Sequence, residues 1–505
     1  MRRAAASLAI TGLLLGTALP AAAETAPAPT SITPDDLRPH IAYLASDELE
    51  GRAPDSEGGR KAVYYIASQW SAAGLQPGAA GDSWYAPVDM VTVKPLTGSM
   101  QFHTSDGKTV PTPERMLLLS GRDRSAALQR VPLVFTGYGI AADAAAPDLS
   151  GKLAVMLADH APGEHRDLAA RAAALAAAGA SGVVLIFDPG DPVSRLRGGW
   201  YRQTSMLLAD QARQPAFYGG MSDDAARRLF AATGDTLAEA RLRAEADPAL
   251  AEPMALTADL SASSDVARLS SYNVIGKLPG TDPKSGAVLM LAHWDHLGIC
   301  RSPEAADRIC NGAVDNASGV AVLIEVARRF AQAPRLDRDI YVLATTGEEM
   351  GLLGAKAFVE EPPVPLDRIV AALNLDTLAI GPAGSPLAII GRGETPIASD
   401  VAKVAQALGR QIDADDDANA YIKRQDGWAL LEQGVPTVMA NGAFSDSAQL
   451  NAFISGAYHG PDDALTDATE LGGAAEDADL HVALGRYFGD KQRYPARGRG
   501  EPPKR

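Results

Sequence analysis

The chain has 505 residues, 46% of them apolar and 21% charged, a composition that excludes general disorder, collagen-like repeats and a disulfide-dense scaffold. At roughly 150 residues per domain this length allows about three domains. With 46 Lys+Arg against 62 Asp+Glu the net charge is −16, which argues against nucleic acid or anionic lipid as a partner.

Arg2 and Arg3, the apolar run 4–19 and Ala21-Ala22-Ala23 have the layout of an export signal over residues 1–23. The run is short for a membrane span of about 20 residues, and no later stretch is apolar enough. No span is expected after cleavage, and the expected location is periplasmic or extracellular. Residues 24–31 form a Pro/Ala/Thr linker. Helices are predicted over 35–46 and 60–73, the second closed by Gly74; they belong to an N-terminal helical part, 24–94. Strands are predicted at 131–140, 152–158 and 183–187, with helices at 167–178 and 222–232. This block, 95–255, has few His and no clustered acids, and no chemistry is read from it. The acidic, Ala-rich stretch 238–268 reads as a connector. From Ser271 strands and helices alternate, at 287–292, 317–330, 339–345, 369–375 and 435–440. That pattern predicts an α/β domain over 256–490, with a mixed, largely parallel central sheet flanked by helices. The basic, Pro/Gly-rich end, 491–505, is expected to be a loose tail.

Polar residues fall where apolar strands stop. His293, the pair Glu348-Glu349 and Asp376 each follow a different strand, and in an open α/β sheet ligands bind beyond the carboxyl ends of the strands. Asp315 precedes the helix at 317–330, and His459 sits in the Gly/Pro loop GAYHGPDD (456–463). Two His with several carboxylates suit zinc. Asp295, two after His293, is placed to orient its imidazole. Each residue also has a structural explanation. Asp315 could cap the following helix, Thr346 and Glu349 could form a capping box, Asp376 could be a turn residue and His459 a solvated loop residue. Those readings do not explain why acids and His follow buried strands repeatedly.

The segments LAHWDHLG (291–298), NGAVDNASGVA (311–321), TTGEEMGLLGA (345–355), LNLDT (373–377) and AYHGPDD (457–463), with LASDELEGR (44–52), resemble the secreted bacterial co-catalytic dizinc aminopeptidases. These are zinc exopeptidases related to aminopeptidase Y and glutamate carboxypeptidase. Residues 95–255 resemble the protease-associated domain often inserted in them, through GYGI (137–140) and GASGVVLIF (179–187). The resemblance implies two zinc ions bridged by Asp315, with His293 and Asp376 on one and Glu349 and His459 on the other. It implies Glu348 as general base, Asp295 as partner of His293 and Tyr458 as a donor to the oxyanion. The substrates would be peptides. The chain departs from relatives at Gln425-Asp426-Gly427, where many have Ser-Asp-His, and at Thr377, where Met is common.

Three other readings compete: a carboxypeptidase or dipeptidase in which Arg424 holds a substrate carboxylate, a one-zinc glutaminyl-cyclase-like transferase, and a non-catalytic peptide-binding or receptor-like protein. Cys300 and Cys310, the two cysteines, are expected to pair in an oxidising compartment.

Overall fold

In the computed structural model of the protein, residues 30–140, 145–159, 168–187, 204–210 and 215–495 are described. The expected export signal, most of the linker 24–31 and tail residues 496–505 lie outside them. The first residues of that expected tail are anchored: Tyr494 is buried against Phe488, with ring centroids 4.8 Å apart.

In chain order the strands are β1 (Gln76–Pro77), β2 (Tyr85–Thr104), β3 (Leu117–Gly121), β4 (Ser125–Phe135), β5 (Leu153–Leu157), β6 (Gly182–Ile186), β7 (Ser205–Leu208) and β8 (Phe217–Met221). They continue with β9 (Glu252–Leu278), β10 (Ala287–His293), β11 (Gly298–Ile299), β12 (Ile309–Cys310), β13 (Asp339–Thr345), β14 (Ile369–Asn374), β15 (Ala388–Ile390) and β16 (Thr437–Asn441). Strand β10 is buried along its whole length and lies parallel to both β13 and β14. Strand β16 extends the parallel set from β14, while β9 and β15 flank it antiparallel. The sheet is mixed and largely parallel, as the alternating pattern predicts.

A parallel sheet needs cover on both faces, and alternate residues of β10 show where it comes from. Val288, Met290 and Ala292 pack with the helices Pro34–Leu44, Glu57–Ala73, Ser318–Ala331 and Gly472–Gly489. Leu289 and Leu291 face the other way, towards Phe358 of the helix Leu353–Glu360 and Leu430 of Gly427–Leu431. A second set of parallel strands, β4–β5–β6–β8, has separate cores of its own, around Phe135 and Val155 on one face and Met156 and Leu185 on the other. Strand β4 ends at Phe135, short of the predicted 140, because Gly137 and Gly139 turn the chain at φ 53° and 96°, where glycine has no steric cost.

One ribbon joins the two sets. Strand β2 pairs with β9 from Tyr85↔Val274 to Thr104↔Leu256. One end of β9 also pairs with β13 and the other with β4. The expected boundaries at 94/95 and 255/256 therefore fall inside continuous strands. The expected connector 238–268 is instead the helix Leu237–Ala246 followed by most of β9. Its buried face, Leu256, Ala258, Leu260 and Ala262, alternates with Thr257, Asp259 and Ser261, and small alanines give that alternation little hydrophobic contrast.

Candidate metal centre

The order β14–β10–β13 brings three strand ends side by side at one edge of the sheet, because parallel strands end on the same side. His293 closes β10, Thr345-Thr346-Gly347 leads from β13 to Glu348 and Glu349, and Leu375 leads from β14 to Asp376. His293 Nε2 lies 3.2 Å from Asp315 Oδ1 and 3.5 Å from Asp376 Oδ1. The other oxygen of Asp315, Oδ2, is 3.4 Å from His459 Nε2, which is 2.9 Å from Glu349 Oε2. All five candidate ligands converge, and Asp315 turns one oxygen to each side.

The local folding shows why Asp315 and Glu349 are not helix caps. The helix Ser318–Ala331 has Ala317 at its N-cap with no side-chain cap; Asn316 Oδ1 accepts from Gly319 N instead. Asp315, joined to Asn316 by a cis peptide, is aimed into the site by Asp463. That carboxylate accepts from the N–H groups of Val314 (2.8 Å) and Asp315 (3.1 Å). No helix starts at Thr346: its hydroxyl pairs with Ser271, its N–H donates to Asn273, and the next helix begins at Leu353. Glu348 and Glu349 stand in the loop between.

Charge crowds here. Burial raises the Glu348 carboxyl well above the usual range, with Glu349, Asp426 and Asp376 adding to it against the pull of His293. Burial also pushes Asp295 up to about 7 and Asp426 up to about 6. Asp315 goes the other way: burial would raise it, but the His293 and His459 rings hold it far below the usual range. Burial would lower His459, yet Asp315 and Glu349 lift it to about 9. His293 is likewise raised, by Glu348, Asp315 and Asp376 overriding burial. The expected support of His293 by Asp295 takes a different route. His293 Nδ1 lies 3.1 Å from the backbone carbonyl of Asp295 and 4.0 Å from its carboxylate, which accepts from Glu348 N.

The donor set fits zinc. Ligand atoms of His293, Asp315 and Asp376 lie within 4.8 Å of one another, as do those of His296, Asp315 and Glu349. Glu349 Oε1, His459 Nε2 and both nitrogens of His296 are buried without a hydrogen-bond partner. A cation placed among them would satisfy lone pairs that are otherwise costly to bury.

Tyr458 stacks on the His459 ring at 3.7 Å, and its hydroxyl accepts from Arg424 at 3.4 Å. A pocket at the site is lined by Asp315, Glu348 and Asp376 together with the apolar Met439, Phe444, Leu450, Phe453 and Ile454. Arg424 and Tyr458 also line it. Cys300 and Cys310 are bonded and tie β11 to β12.

Sequence reasoning left several participants without a role. His296 is fully buried, with Nδ1 2.6 Å from Glu349 Oε1. Asp463 holds the Asp315 loop. Asp426 accepts from Thr345 on β13. Arg52 is fully buried and donates to the carbonyls of Trp294, Leu44, Asn311, Gly312 and Asp315. It ties the N-terminal segment to the loops bearing His293 and Asp315. All four lie in or beside motifs quoted above, and that proximity was their signal.

Residues 273–479 match peptidase family M28. A vacuolar membrane protease of Candida dubliniensis is 34% identical over 102 residues, 20% of this chain and 10% of that protein. The aminopeptidase YwaD of Bacillus subtilis is 35% identical over 109 residues, 21% of this chain and 22% of that protein. The chain thus spans under a quarter of the length of either relative. The solved aminopeptidase from Aneurinibacillus sp. strain AM-1 has the same fold, with a TM-score of 0.52 at 20% identity over 94% of this chain and 96% of that one. Among the described residues no helix is long and apolar enough to cross a membrane. The segment that matches peptidase family M28, residues 273–479, carries all five candidate ligands.

Proposed function

We propose that the protein is an exported zinc-dependent aminopeptidase that removes N-terminal residues from peptides and holds two zinc ions. The observation that carries this reading is Asp315, which turns Oδ1 to His293 and Oδ2 to His459, the disposition of a carboxylate bridging two cations. His293 and Asp376 would complete one site, Glu349 and His459 the other.

Two zinc ions, when bound, supply a water of lowered pKa and polarise a scissile carbonyl. The remaining work belongs to side chains. Glu348, buried beside the cluster and fixed through its N–H to Asp295, takes a proton from the attacking water and returns it to the leaving amine. Tyr458 is the candidate donor to the oxygen on which charge develops. The carboxylates that line the pocket suit a free α-amine, and its apolar residues suit the first side chain.

Arg424, on the same pocket, favours a second reading in which a substrate carboxylate is bound and the enzyme is a carboxypeptidase or dipeptidase. Hydrolysis of free-amine and N-blocked peptides, with zinc measured on the same sample, separates the two. Cleavage of free-amine substrates alone, at two zinc per chain, supports the aminopeptidase. Cleavage of N-blocked peptides overturns it, and full activity at one zinc overturns the dinuclear centre in favour of cyclase-like chemistry. No hydrolysis with peptide binding retained would indicate a receptor-like protein.

A further inference from the structure

Glu349 presents its two oxygens to different rings. Oε2 is 2.9 Å from His459 Nε2, and Oε1 is 2.6 Å from His296 Nδ1. The His296 ring is held from two sides. At Gly312 a Cβ would lie 2.6 Å from His296 Cγ, and the ring meets His459 edge to face at 5.7 Å. Both His296 nitrogens and Glu349 Oε1 are buried without a hydrogen-bond partner, so the 2.6 Å approach of Nδ1 to Oε1 is a close contact and not an aligned hydrogen bond. A buried imidazole without a partner costs free energy, and Glu349 Oε1 is the acceptor within reach.

We propose that His296 is a positioning residue for the metal centre: with the cations in place, its Nδ1–H donates to Glu349 Oε1, the buried acceptor 2.6 Å away, and leaves Oε2 for the cation that Asp315 and His459 would also hold. This rests on the proposed zinc centre. The reason for such a donor is electrostatic. Glu349 shares its cluster with the Asp315 carboxylate, and its Oε1 is buried without a hydrogen-bond partner. Without the Nδ1 donor, Oε1 would be buried with no compensating proton, and Glu349 would rotate away or chelate through both oxygens. Donors that orient a ligand in this way are generally worth about 10–100-fold in metal affinity.

The test compares zinc affinities of the full-length protein by chelator competition for wild type, His296→Leu and His296→Asn, with His296→Met as a second apolar variant should the Leu form not fold. Asn carries its amide nitrogen at the Nδ1 position; Leu and Met carry no donor. His296→Leu is expected to weaken one of the two zinc ions by about 10–100-fold and to leave the other unchanged, with His296→Asn close to wild type. Unfolding temperatures in excess chelator should agree between wild type and the Asn variant. Wild-type affinity for both ions in the apolar variants overturns the proposal. So does an Asn variant as weak as the Leu one, because ring packing or direct ligation would then be responsible. A wild-type protein that binds fewer than two zinc ions defeats the proposed function instead, so the two failures are distinguishable.

Discussion

The Sγ of Cys310 lies 3.4 Å from the carbonyl oxygen of His459, so the disulfide braces the backbone of a candidate metal ligand. The hairpin it closes also presents Asn311 and Gly312 to Arg52. The closed loop is short, with a sequence separation of 10, and its entropic contribution is roughly 3 kcal/mol. Reduction should therefore act on the site more than on the fold. We expect reductant to weaken the zinc held by His459 and Glu349 while far-UV circular dichroism is retained. Zinc affinity that is the same before and after reduction would show that the brace is not needed.

Glu348→Gln and Glu349→Gln should part company. The first removes a base without removing a ligand; kcat should fall by about 10²–10⁴ with KM and zinc content kept. The second should lower zinc content directly. Paired zinc and turnover measurements check both, and an active Glu348→Gln enzyme would remove Glu348 from the mechanism.

The pocket wall predicts the preferred first residue. Phe444, Leu450, Phe453 and Ile454 should favour N-terminal Leu, Met or Phe over Ala by at least about tenfold in kcat/KM, since one methylene in an apolar pocket is worth about 10–200-fold. Ile454→Glu should abolish that preference and leave zinc content alone. Equal rates for Leu and Ala substrates in the wild type would locate the first side chain elsewhere.

Stability should depend on His481, which lies in the helix Gly472–Gly489 and is not one of the candidate ligands. Burial depresses it to about 4, and Nδ1 lies 2.7 Å from the Asp477 carbonyl. The unfolded chain takes up this proton near pH 6.5 and the folded one only near 4, so the contribution is complete above 6.5 and lost as pH falls towards 4. It amounts to about 3 kcal/mol. Asp477, raised by burial to about 6, opposes this, since its contribution is lost as pH rises through 6. Urea unfolding of wild type and His481→Leu in chelator, from pH 7 to 4, should show the steeper acid loss in the wild type. Parallel curves would refute the assignment.

Three of the candidate ligands were legible in sequence because they follow runs of apolar residues, and strand ends are where such sheets gather chemistry; Asp315, ahead of a helix, and His459, in a loop, joined them through the order of the motifs. His293, Glu349 and Asp376 needed no knowledge of three-dimensional contacts to be suspected. His296 was not legible: it sits in the same short motif as His293, and only the fold shows it aimed at Glu349. Arg52 escaped for another reason, since its partners are backbone carbonyls, which leave no trace in side-chain identity. Strand β9 is hidden in the sequence because Ala and Ser at alternating positions blur the period of two on which strand recognition depends.

The long ribbon also orders events during synthesis. The helices Pro34–Leu44 and Glu57–Ala73 leave the ribosome early, yet they bury their apolar faces on Ser318–Ala331, made some 250 residues later. Tyr85 waits for Val274 in the same way, whereas β4, β5, β6 and β8 find one another within a short stretch of chain. Strands β4, β5, β6 and β8 can therefore assemble first, while the N-terminal helices stay unpaired until the helix Ser318–Ala331 emerges. Contacts of such separation are slow to form and leave apolar surface exposed meanwhile, so the earliest-made helices are the segment most in need of chaperoning.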